Sequence, residues 1–561
     1  MTKTKLQKRG NMKPSSDTSS DEEDSAQVRV CLKLANSVQD RTLEVPTQPI
    51  AVPADIGRKG LSVVLNHLLG RSIHENNDDA DDASMNDGGD DEKLPPFTFE
   101  FILKGTNNRL LRKGVEKEAR QHGVSLEEAL TITYFPAANV PTVSSNDETL
   151  PDWISCLSDC TIARGGVGRL DDDDDDDTNF VFSGCYDGSV HMYAREKADN
   201  CKSTLSKINI AKSGTGPIKT MATSTDHVDG NKIWIASASL DHTLNIHMYE
   251  HANGKNNVGT LQSYGQCVQA MNGDMIPNVG NASMTSLDFA AKSNIGTLLA
   301  SGNGDGHISI WNMNASANII NNDTISDKKR RKLSSTKKKN SKKGEIGKYK
   351  IMPTINLENA HSQSVSGLSW GNHHKQHQEF VNNKETNTNS QNDIKIGNGY
   401  THLISGSWDH TIKLWDVEKQ NCLLTLNGAR VVSCLDTSYH SEGVCATGHP
   451  DCTIRLWDLR VNTNSKHSAI VVSDNTFRPS HKAWISNVQW SRSNAFQLAS
   501  TSHDGCIKLW DIRSSNPLHT IRTFPKEEKG LSLLWLPPVS AGNNSTIYAG
   551  GTDCVMKQLE L

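Results

Sequence analysis

Several hallmarks of other protein classes are missing from this sequence. No stretch approaches the ~18 consecutive apolar residues of a membrane-spanning helix, and the N-terminal segment has no apolar core of a secretory signal. The 12 cysteines show no zinc-ligand spacing, because the nearest pair, Cys156 and Cys160, has no second Cys/His pair close by. A chain without an export signal or a disulfide pattern is expected inside the cell, without membrane contact.

An even distribution of charge is missing too. The 561 residues carry a formal net charge of −5, but residues 171–177 are all Asp and residues 328–350 are strongly basic. Blocks of like charge repel themselves and stay solvated. Because the chain is also too long for one ordinary core, we expect more than one globular domain interrupted by charged insertions.

One pattern occurs seven times: small residues, a turn Asp, and an alternating strand that ends near an aromatic. The turn residues are Asp187, Asp241, Asp305, Asp409, Asp451, Asp504 and Asp553. These segments resemble WD40 repeats, whose length of ~40–45 residues matches the separation of Asp409 and Asp451. The resemblance implies a mainly β fold, a seven-bladed propeller over residues 151–561. Insertions are expected at 165–178, 314–350 and 373–398.

The residues of the repeat have structural roles in this interpretation. The Asp accepts hydrogen bonds from turn amides and from a loop histidine, for which His361 and His481 stand in the expected place. Serines at 405 and 407, or at 500 and 502, could link these histidines to the strand-end tryptophans. Those tryptophans are Trp311, Trp415, Trp457 and Trp510.

The same residue types could be mistaken for a hydrolase triad. The set recurs at the repeat period, however, and the sequence has no Gly-x-Ser-x-Gly elbow. We therefore predict no catalytic residue and no enzymatic activity.

Because an open ring would expose sheet edges, we expect residues 153–157 to supply a strand to the short last blade, with 137–150 as a linker.

The first 136 residues have a different rhythm. Residues 1–26 are expected to be a disordered tail, and Gln27–Leu34 alternates like a half-buried strand. Residues 43–52 are predicted to form a second strand. A helix follows, with one apolar face made of Leu61, Val64, Leu65 and Leu68. Strands at 97–103 and 130–134 enclose a short helix or turn at 110–122. This ββαββ order predicts an α+β ubiquitin-like domain over 27–136, with an acidic loop insertion at 74–93.

The similarity extends beyond the fold in residues 60–69, 97–103 and 123–134. These blocks resemble the N-terminal domain shared by Notchless and by the WD-repeat (Ytm-type) subunit of the PeBoW ribosome-biogenesis complex. With seven repeats and a basic insertion, the chain is similar to the PeBoW subunit family rather than to Notchless, which has an extra blade. The resemblance covers both domains.

That resemblance implies a scaffold for maturation of the large (60S) ribosomal subunit and of its 25S/28S and 5.8S rRNA, in the nucleolus and nucleoplasm. The expected partners are an Erb/Bop-type WD-repeat protein at the propeller, a Pescadillo/Nop-type protein, pre-60S particles and the midasin AAA ATPase. Glu127 is expected to complete the coordination of a Mg²⁺ held by midasin, with Glu128 as the neighbouring alternative. No resident cofactor is expected.

Two further interpretations concern charged motifs. Lys328, Lys329, Arg330, Arg331 and Lys332, followed by more lysines, fit a nuclear import signal, with a solvated loop as the alternative. The Trp-Asp-x-Arg endings at Arg460 and Arg513 match those of cullin-RING ubiquitin ligase substrate receptors. A receptor function is therefore kept as the alternative.

Overall fold

The computed structural model divides the chain into two compact units, residues 1–137 and 138–561. It describes residues 26–561 except 37, 39, 72–95, 107, 139, 163–177, 198–202, 213–215, 227–228, 252–259, 272–273, 277–282, 291–296, 315–318, 322–348, 372–401, 429, 442, 460–480 and 539–544. The predicted tail at 1–26 and the acidic insertion at 74–93 therefore lie almost wholly outside the described residues, as does the insertion at 373–398. No helix in the described part is long and apolar enough to cross a membrane.

The first unit is a four-stranded sheet with two α-helices. In chain order its elements are β1 Gln27–Leu34, a 3-10 turn Arg41–Leu43, β2 Ile50–Pro53, α1 Arg58–Leu68, β3 Phe99–Leu103, α2 Val115–Gln121 and β4 Leu130–Pro136. The strand order is β2-β1-β4-β3, with β1 and β4 parallel and the other pairs antiparallel. Alternate residues of β1 (Val28, Val30, Leu32 and Leu34) point into one core with Leu61 and Leu65 of α1.

Two details of this unit differ from the prediction. The strand expected at 43–52 is confined to β2, because Pro46 and Pro49 have no N–H to donate to a sheet ladder. Leu68, expected on the buried helix face, is 41% exposed. Asn66 is buried instead, since its side-chain amide donates to the Phe97 carbonyl at 2.7 Å and accepts from the Phe97 N–H at 2.9 Å.

The second unit is a ring of antiparallel sheets, and the mainly β prediction is confirmed. Its sheets, each given from the inner strand outwards, are as follows. Sheet one is β6 Ile154–Ile162, β7 Thr178–Cys185, β8 Ser189–Lys197 and β9 Ser203–Lys212; sheet two is β10 Ile218–Thr225, β11 Lys232–Ser239, β12 Leu244–Glu250 and β13 Thr260–Cys267. Sheet three is β16 Met284–Phe289, β17 Leu298–Asn303, β18 Ile308–Asn312 and β21 Ile355–Leu357. Sheet four is β22 Val365–Trp370, β23 His402–Ser407, β24 Thr411–Asp416 and β25 Asn421–Asn427. Sheet five is β26 Cys434–Thr437, β27 Val444–Gly448 and β28 Ile454–Asp458; sheet six is β29 Ile485–Trp490, β30 Gln497–Ser502, β31 Cys506–Asp511 and β32 His519–Arg522. Sheet seven is β33 Gly530–Leu536, β34 Thr546–Gly551 and β35 Val555–Glu560, completed by β5 Thr142–Thr149.

The inner strands pack side by side in chain order, and β33 returns against β6 to close the ring. In the described part of the unit this makes seven blade-like sheets, in agreement with the seven sequence repeats. Apolar residues of neighbouring sheets pack together between the blades; Trp490 of β29, for example, lies in the same cluster as Val444 of β27 and Trp510 of β31.

The strand that closes the last sheet was placed wrongly. Residues 153–157 belong mainly to the inner strand of sheet one, whereas β5 pairs antiparallel with β35. The Leu150 N–H extends this pairing by donating to the Cys554 carbonyl at 2.8 Å. The predicted linker at 137–150 is therefore mostly a propeller strand, whose pairing satisfies the backbone groups of an edge that would otherwise be open.

Small additions lie outside the repeat pattern. β14 Gln269–Met271 and β15 Asp274–Ile276 form a separate hairpin. Two described pieces of the 314–350 insertion, β19 Ile319–Asn321 and β20 Tyr349–Ile351, pair with each other, and β20 also pairs in parallel with β13. This insertion therefore extends the outer edge of sheet two. The described end of the 165–178 insertion, Thr178, starts β7.

Candidate functional site

Glu127 lies in the exposed loop between α2 and β4. Its backbone N–H donates to Ser125 Oγ at 3.3 Å, a local turn in which a hydroxyl holds the chain two residues on. Leu126 anchors the loop, since it packs against the core while the next two residues, Glu127 and Glu128, are exposed. The carboxylate is thus presented to solvent from an anchored loop.

This loop presents the two carboxylates of Glu127 and Glu128 rather than a complete metal site. Among the described residues, no group of three or more His, Cys, Asp or Glu side chains could hold a metal ion. Mg²⁺ takes about six oxygen ligands and often only one or two carboxylates. An exposed Glu127 therefore fits the role of a single ligand to a cation that another protein holds, and bound Mg²⁺ would supply a charge-based docking point at this loop.

The repeat residues form complete hydrogen-bonded chains in sheets four and six. In sheet four, Trp415 Nε1–H donates to Ser405 Oγ at 2.8 Å, and His361 bridges Ser405 Oγ at 2.7 Å and Asp409 Oδ2 at 2.9 Å. Asp409 also accepts from the Ser362 N–H at 3.0 Å. The linking serine is therefore Ser405 rather than Ser407.

Sheet six repeats this geometry. Trp510 Nε1–H donates to Ser500 Oγ at 2.9 Å, and His481 bridges Ser500 Oγ at 2.8 Å and Asp504 Oδ2 at 3.0 Å. Because the polar side-chain atoms of these four residues are engaged by one another, this hydrogen-bonded group holds the turn to the sheet. The same arrangement in two blades supports a structural rather than a catalytic role.

The electrostatics of these chains agree with that role. Burial lowers the pKa of His361, against the opposing effect of Asp409, and burial likewise lowers that of His481. Burial alone would raise the pKa of Asp409, but hydrogen bonds from Thr411 and Ser362 and the nearby His361 together lower it to about 2. A neutral histidine ring can donate to the carboxylate and accept from the serine hydroxyl.

Four more turn aspartates each accept from the backbone N–H two residues further along the chain. Asp241 accepts from the Thr243 N–H at 3.1 Å, and Asp451 from the Thr453 N–H at 3.2 Å. Asp187 accepts from the Ser189 N–H at 2.9 Å, and Asp553 from the Val555 N–H at 3.3 Å. Two more tryptophans find the equivalent hydroxyl: Trp311 donates to Ser301 at 2.8 Å and Trp457 to Thr447 at 2.7 Å.

Asp305 is the exception, and its predicted role is wrong. Its side chain is exposed, and Asn303 Oδ1 accepts the turn amides instead, from Asp305 N–H at 3.1 Å and His307 N–H at 2.9 Å. Asn has the same short polar side chain as Asp and can cap a turn in the same way. In this blade the acceptor therefore precedes the predicted position by two residues.

The sequence interpretation missed the residues that join one blade to the next. At one end of the inner strands, Ser366 Oγ–H donates to the Val432 carbonyl at 2.6 Å and Ser486 Oγ–H to the Gly530 carbonyl at 2.8 Å. At the other end, side-chain oxygens accept from the next strand's backbone N–H. These pairs are Asp288 with Trp370 at 2.9 Å, Asp436 with Trp490 at 2.7 Å, and Gln489 with Trp535 at 2.6 Å.

A recurring sequence signal could have revealed them. Two of the inner strands, in residues 365–370 and 485–490, share a hydroxyl residue one position after their first apolar residue and a polar residue just before a tryptophan. The polar residue reads as an ordinary alternating strand position until its strand is known to be innermost.

The inner strands surround a central cavity of about 720 Å³. Arg492 spans part of its lining, with two short hydrogen bonds of 2.6 and 2.7 Å to the two Asp159 oxygens and its guanidinium 5.3 Å from the Tyr439 ring centroid. Burial raises the pKa of Asp288 and that of Asp436 to about 7. The single arginine is thus surrounded by three carboxyl groups, one of which it pairs directly.

The basic cluster and the two Trp-Asp-x-Arg endings are only partly within the residues that the structure describes. The basic residues 328–332 lie outside the described part of the chain, as does Arg460. Arg513 forms hydrogen bonds to both oxygens of Asp511, at 2.9 and 2.7 Å, and packs over the Phe496 ring. This guanidinium is engaged within its own blade, which does not favour a contact with a ligase adaptor.

Comparison with known proteins adds the family. The NLE (NUC135) domain family matches residues 30–115, and the WD domain, G-beta repeat family matches 266–312, 353–416, 420–458 and 473–511. A protein from Chlamydomonas reinhardtii named "Ribosome biogenesis protein WDR12 homolog" is 26% identical over 92% of this chain and 95% of its own length. "Ribosome biogenesis protein YTM1" from Lodderomyces elongisporus is 26% identical over 88% of this chain and 90% of its own. The chain therefore carries an NLE domain followed by WD40 repeats, and the relatives that it matches over most of its length are named as WDR12 and YTM1 ribosome biogenesis proteins.

Proposed function

We propose that this protein is a scaffold in ribosome biogenesis. The observation that carries the proposal is that one chain combines an NLE domain with a WD40 ring and matches proteins named for ribosome biogenesis over about nine-tenths of its length. Side chains that resemble a catalytic triad are used to hold blade turns. A ring of seven sheets offers a large rigid surface, which suits the assembly of other components.

The proposal in detail is a role in the large subunit pathway. The ring binds an Erb/Bop-type WD-repeat protein, in a complex that also contains a Pescadillo/Nop-type protein and acts on pre-60S particles in the nucleolus and nucleoplasm. Maturation of 25S/28S and 5.8S rRNA depends on this complex. The support is the match to the WDR12 and YTM1 proteins together with a propeller closed by its own N-terminal strand.

The first unit gives the complex a docking point for its release, which we call the handle. In our proposal, Glu127 contributes one oxygen to a Mg²⁺ held by the adhesion-type domain of midasin. Glu127 and its neighbour Glu128 are both exposed on a loop fixed by Ser125 and Leu126, which supports this role because little ordering of the loop is needed on binding.

Binding of the full-length protein to that midasin domain tests the handle. With Mg²⁺ we expect Glu127→Ala to abolish binding and Glu127→Asp to weaken it, because the shorter side chain withdraws the carboxylate from the metal. EDTA should abolish binding of the parent protein. Glu128→Ala separates the two candidate positions and should bind like the parent, whereas loss of binding in this variant alone would assign the role to Glu128. Binding equal to the parent in both Glu127→Ala and Glu128→Ala, or no effect of EDTA, would rule out the metal bridge.

Affinity purification tests the wider role. Co-purification of pre-60S proteins and large-subunit rRNA precursors is expected. Recovery of a cullin adaptor without these components would support the ligase alternative and contradict the scaffold role.

A further inference from the structure

An unusual surface lies where sheets six, seven and one meet at one end of the ring. These sheets are neighbours, because β29 packs against β33 and β33 against β6. Each presents the residue just before its inner strand and the residue just before its turn Asp. Backbone hydrogen bonds of 3.0 Å join these two residues in each sheet, pairing His503 with Trp484, Thr552 with Lys529, and Tyr186 with Trp153.

The result is two aromatic pairs with a lysine position between them, which we call the aromatic arc. Trp484 stacks on His503 with an interplanar angle of 13°, and Trp153 lies against Tyr186 with ring centroids 5.3 Å apart. Trp484 is 51% exposed and Trp153 is 44% exposed. Exposed tryptophan side chains leave large apolar areas in water, so two of them on blades separated only by sheet seven point to a surface that another molecule covers.

The charges around the arc favour an anionic partner. Lys219, Lys482 and Lys529 are exposed, and none forms an ion pair within the described residues. Lys482 lies two residues before Trp484, and the charges of Lys529 and Lys219 reach His503, where burial and these charges lower the pKa of the imidazole. The His503 imidazole is therefore neutral at physiological pH and can stack.

Besides the turn aspartates Asp187, Asp504 and Asp553, three acidic residues lie in the loops that precede the inner strands. Asp152 accepts the Trp153 N–H at 2.8 Å, and Glu528 accepts the Thr552 hydroxyl. Glu527 is exposed. Two of these three carboxylates thus bond within the loop itself, whereas Lys219, Lys482 and Lys529 are exposed.

We propose that the aromatic arc binds single-stranded RNA. Flat rings of Trp484 and Trp153 stack on unpaired bases, and Lys219, Lys482 and Lys529 contact the phosphates. Single-stranded nucleic acids are held in this way, by aromatic platforms beside cationic side chains. The inference goes beyond the proposed function, which assigns protein partners to the ring, and it does not depend on the midasin handle.

Fluorescence anisotropy with a short fluorescein-labelled single-stranded RNA tests the proposal. The full-length protein carries alanines at Lys328, Lys329, Arg330, Arg331 and Lys332, so that this basic cluster does not contribute. We expect Trp484→Ala and Trp153→Ala each to weaken binding about tenfold, and Trp484→Phe to retain most of it. A Lys219→Glu, Lys529→Glu double variant should weaken binding and reduce its salt dependence.

Phe496→Ala is the matched control. Phe496 is 42% exposed but lies before β30, at the opposite end of sheet six, and its loss should leave RNA binding unchanged. Thermal unfolding should be the same for all variants, since the replaced side chains are half-exposed. RNA affinity that is absent from the parent, or insensitive to both tryptophans, would overturn the proposal. Loss of a protein partner with unchanged RNA affinity would make the arc a protein interface and would also overturn it.

Discussion

At the scale of single residues, hydrogen-bond partners decide what each repeat Asp does. Asp409 and Asp504 each accept bonds from a histidine and from turn amides, whereas Asp305 stands in the same sequence position and is exposed. The pattern in the sequence identifies the turn, but the atom that caps it can move by two residues when Asn303 is present. Substitutions at equivalent positions should therefore have unequal effects.

We expect Asp409→Ala to lower the free energy of unfolding by about 1–3 kcal/mol, since it leaves buried donors unpaired. Asp305→Ala is the matched control and should change it by no more than about 0.5 kcal/mol. Chemical denaturation measures both. Because the pKa of Asp409 is lowered to about 2, its contribution is present above the unfolded value of about 3.9 and is lost as pH falls towards 2. Equal destabilisation by the two variants would contradict this assignment.

Asp288 should show the opposite pH dependence. Burial, with the Asp436 carboxylate nearby, raises its pKa to about 7, against the effects of the Trp370 N–H and Arg492. A raised carboxyl pKa means that the folded state binds the proton more tightly, so stability falls as pH rises from about 4 to about 7.

We therefore expect Asp288→Asn, which keeps an oxygen for the Trp370 N–H, to raise the melting temperature at pH 8 by on the order of 1–2 °C and to have no such effect at pH 5. Asp305→Asn, at an exposed position, should change neither value. Differential scanning calorimetry at the two pH values measures this. A melting temperature that falls at pH 8 would show that the ionised Asp288 stabilises the ring.

At the scale of secondary-structure elements, β5 has the largest consequence. It comes from the start of the second unit and pairs along β35, from Thr142 opposite Glu560 to Thr149 opposite Val555. The last sheet is thereby built from strands at both ends of the second unit, and the ring has no open edge there. Hydroxyl and carboxyl side chains on the inner strands then join blade to blade.

Deletion of residues 138–149 should lower the free energy of unfolding by on the order of 3 kcal/mol or more, because each lost backbone hydrogen bond contributes roughly 0.5–1.5 kcal/mol. It should also expose β35 to proteolysis. Deletion of residues 1–25 provides the control and should change neither property. Urea denaturation and limited proteolysis measure the two effects. Unchanged stability of the 138–149 deletion would mean that the ring closes without β5.

At the scale of the whole molecule, the two units have separate cores and, in the proposed function, separate roles. The first unit has its own buried cluster and presents Glu127, while the second holds the ring and its central cavity. In the proposed function one unit is the handle for release and the other is the scaffold. Changes in one unit should therefore leave the binding of the other intact.

The basic residues 328–332 bear on where the protein works. Replacement of Lys329, Arg330, Arg331 and Lys332 by Ala should shift a fluorescent fusion towards the cytoplasm and leave the melting temperature unchanged, because a solvated basic cluster serves as an import signal. Lys104→Ala with Lys113→Ala, at exposed positions of the first unit, is the control. An unchanged nucleolar signal would indicate import by other residues or with a partner.

The sequence by itself determined the repeat, the mainly β fold and the two-domain organisation. These follow from local signals, since Asp turns, period-two strands and helical faces need only neighbouring residues. Glu127 could be singled out by resemblance, and the loop that presents it agrees with short-range features such as the Ser125 turn.

Only the tertiary structure decided which segment closes the ring, which oxygen caps the third blade and which residues join the blades. β5 and β35 lie at opposite ends of the second unit, and no local pattern in 142–149 indicates a pairing partner that far away along the chain. The same holds for Asp159 and Arg492, which meet across the cavity, and for Trp153 and Trp484, which the sequence separates but the ring brings to one surface. Pairing over such distances is set by closure of the whole ring, because only the closed ring satisfies every edge at once.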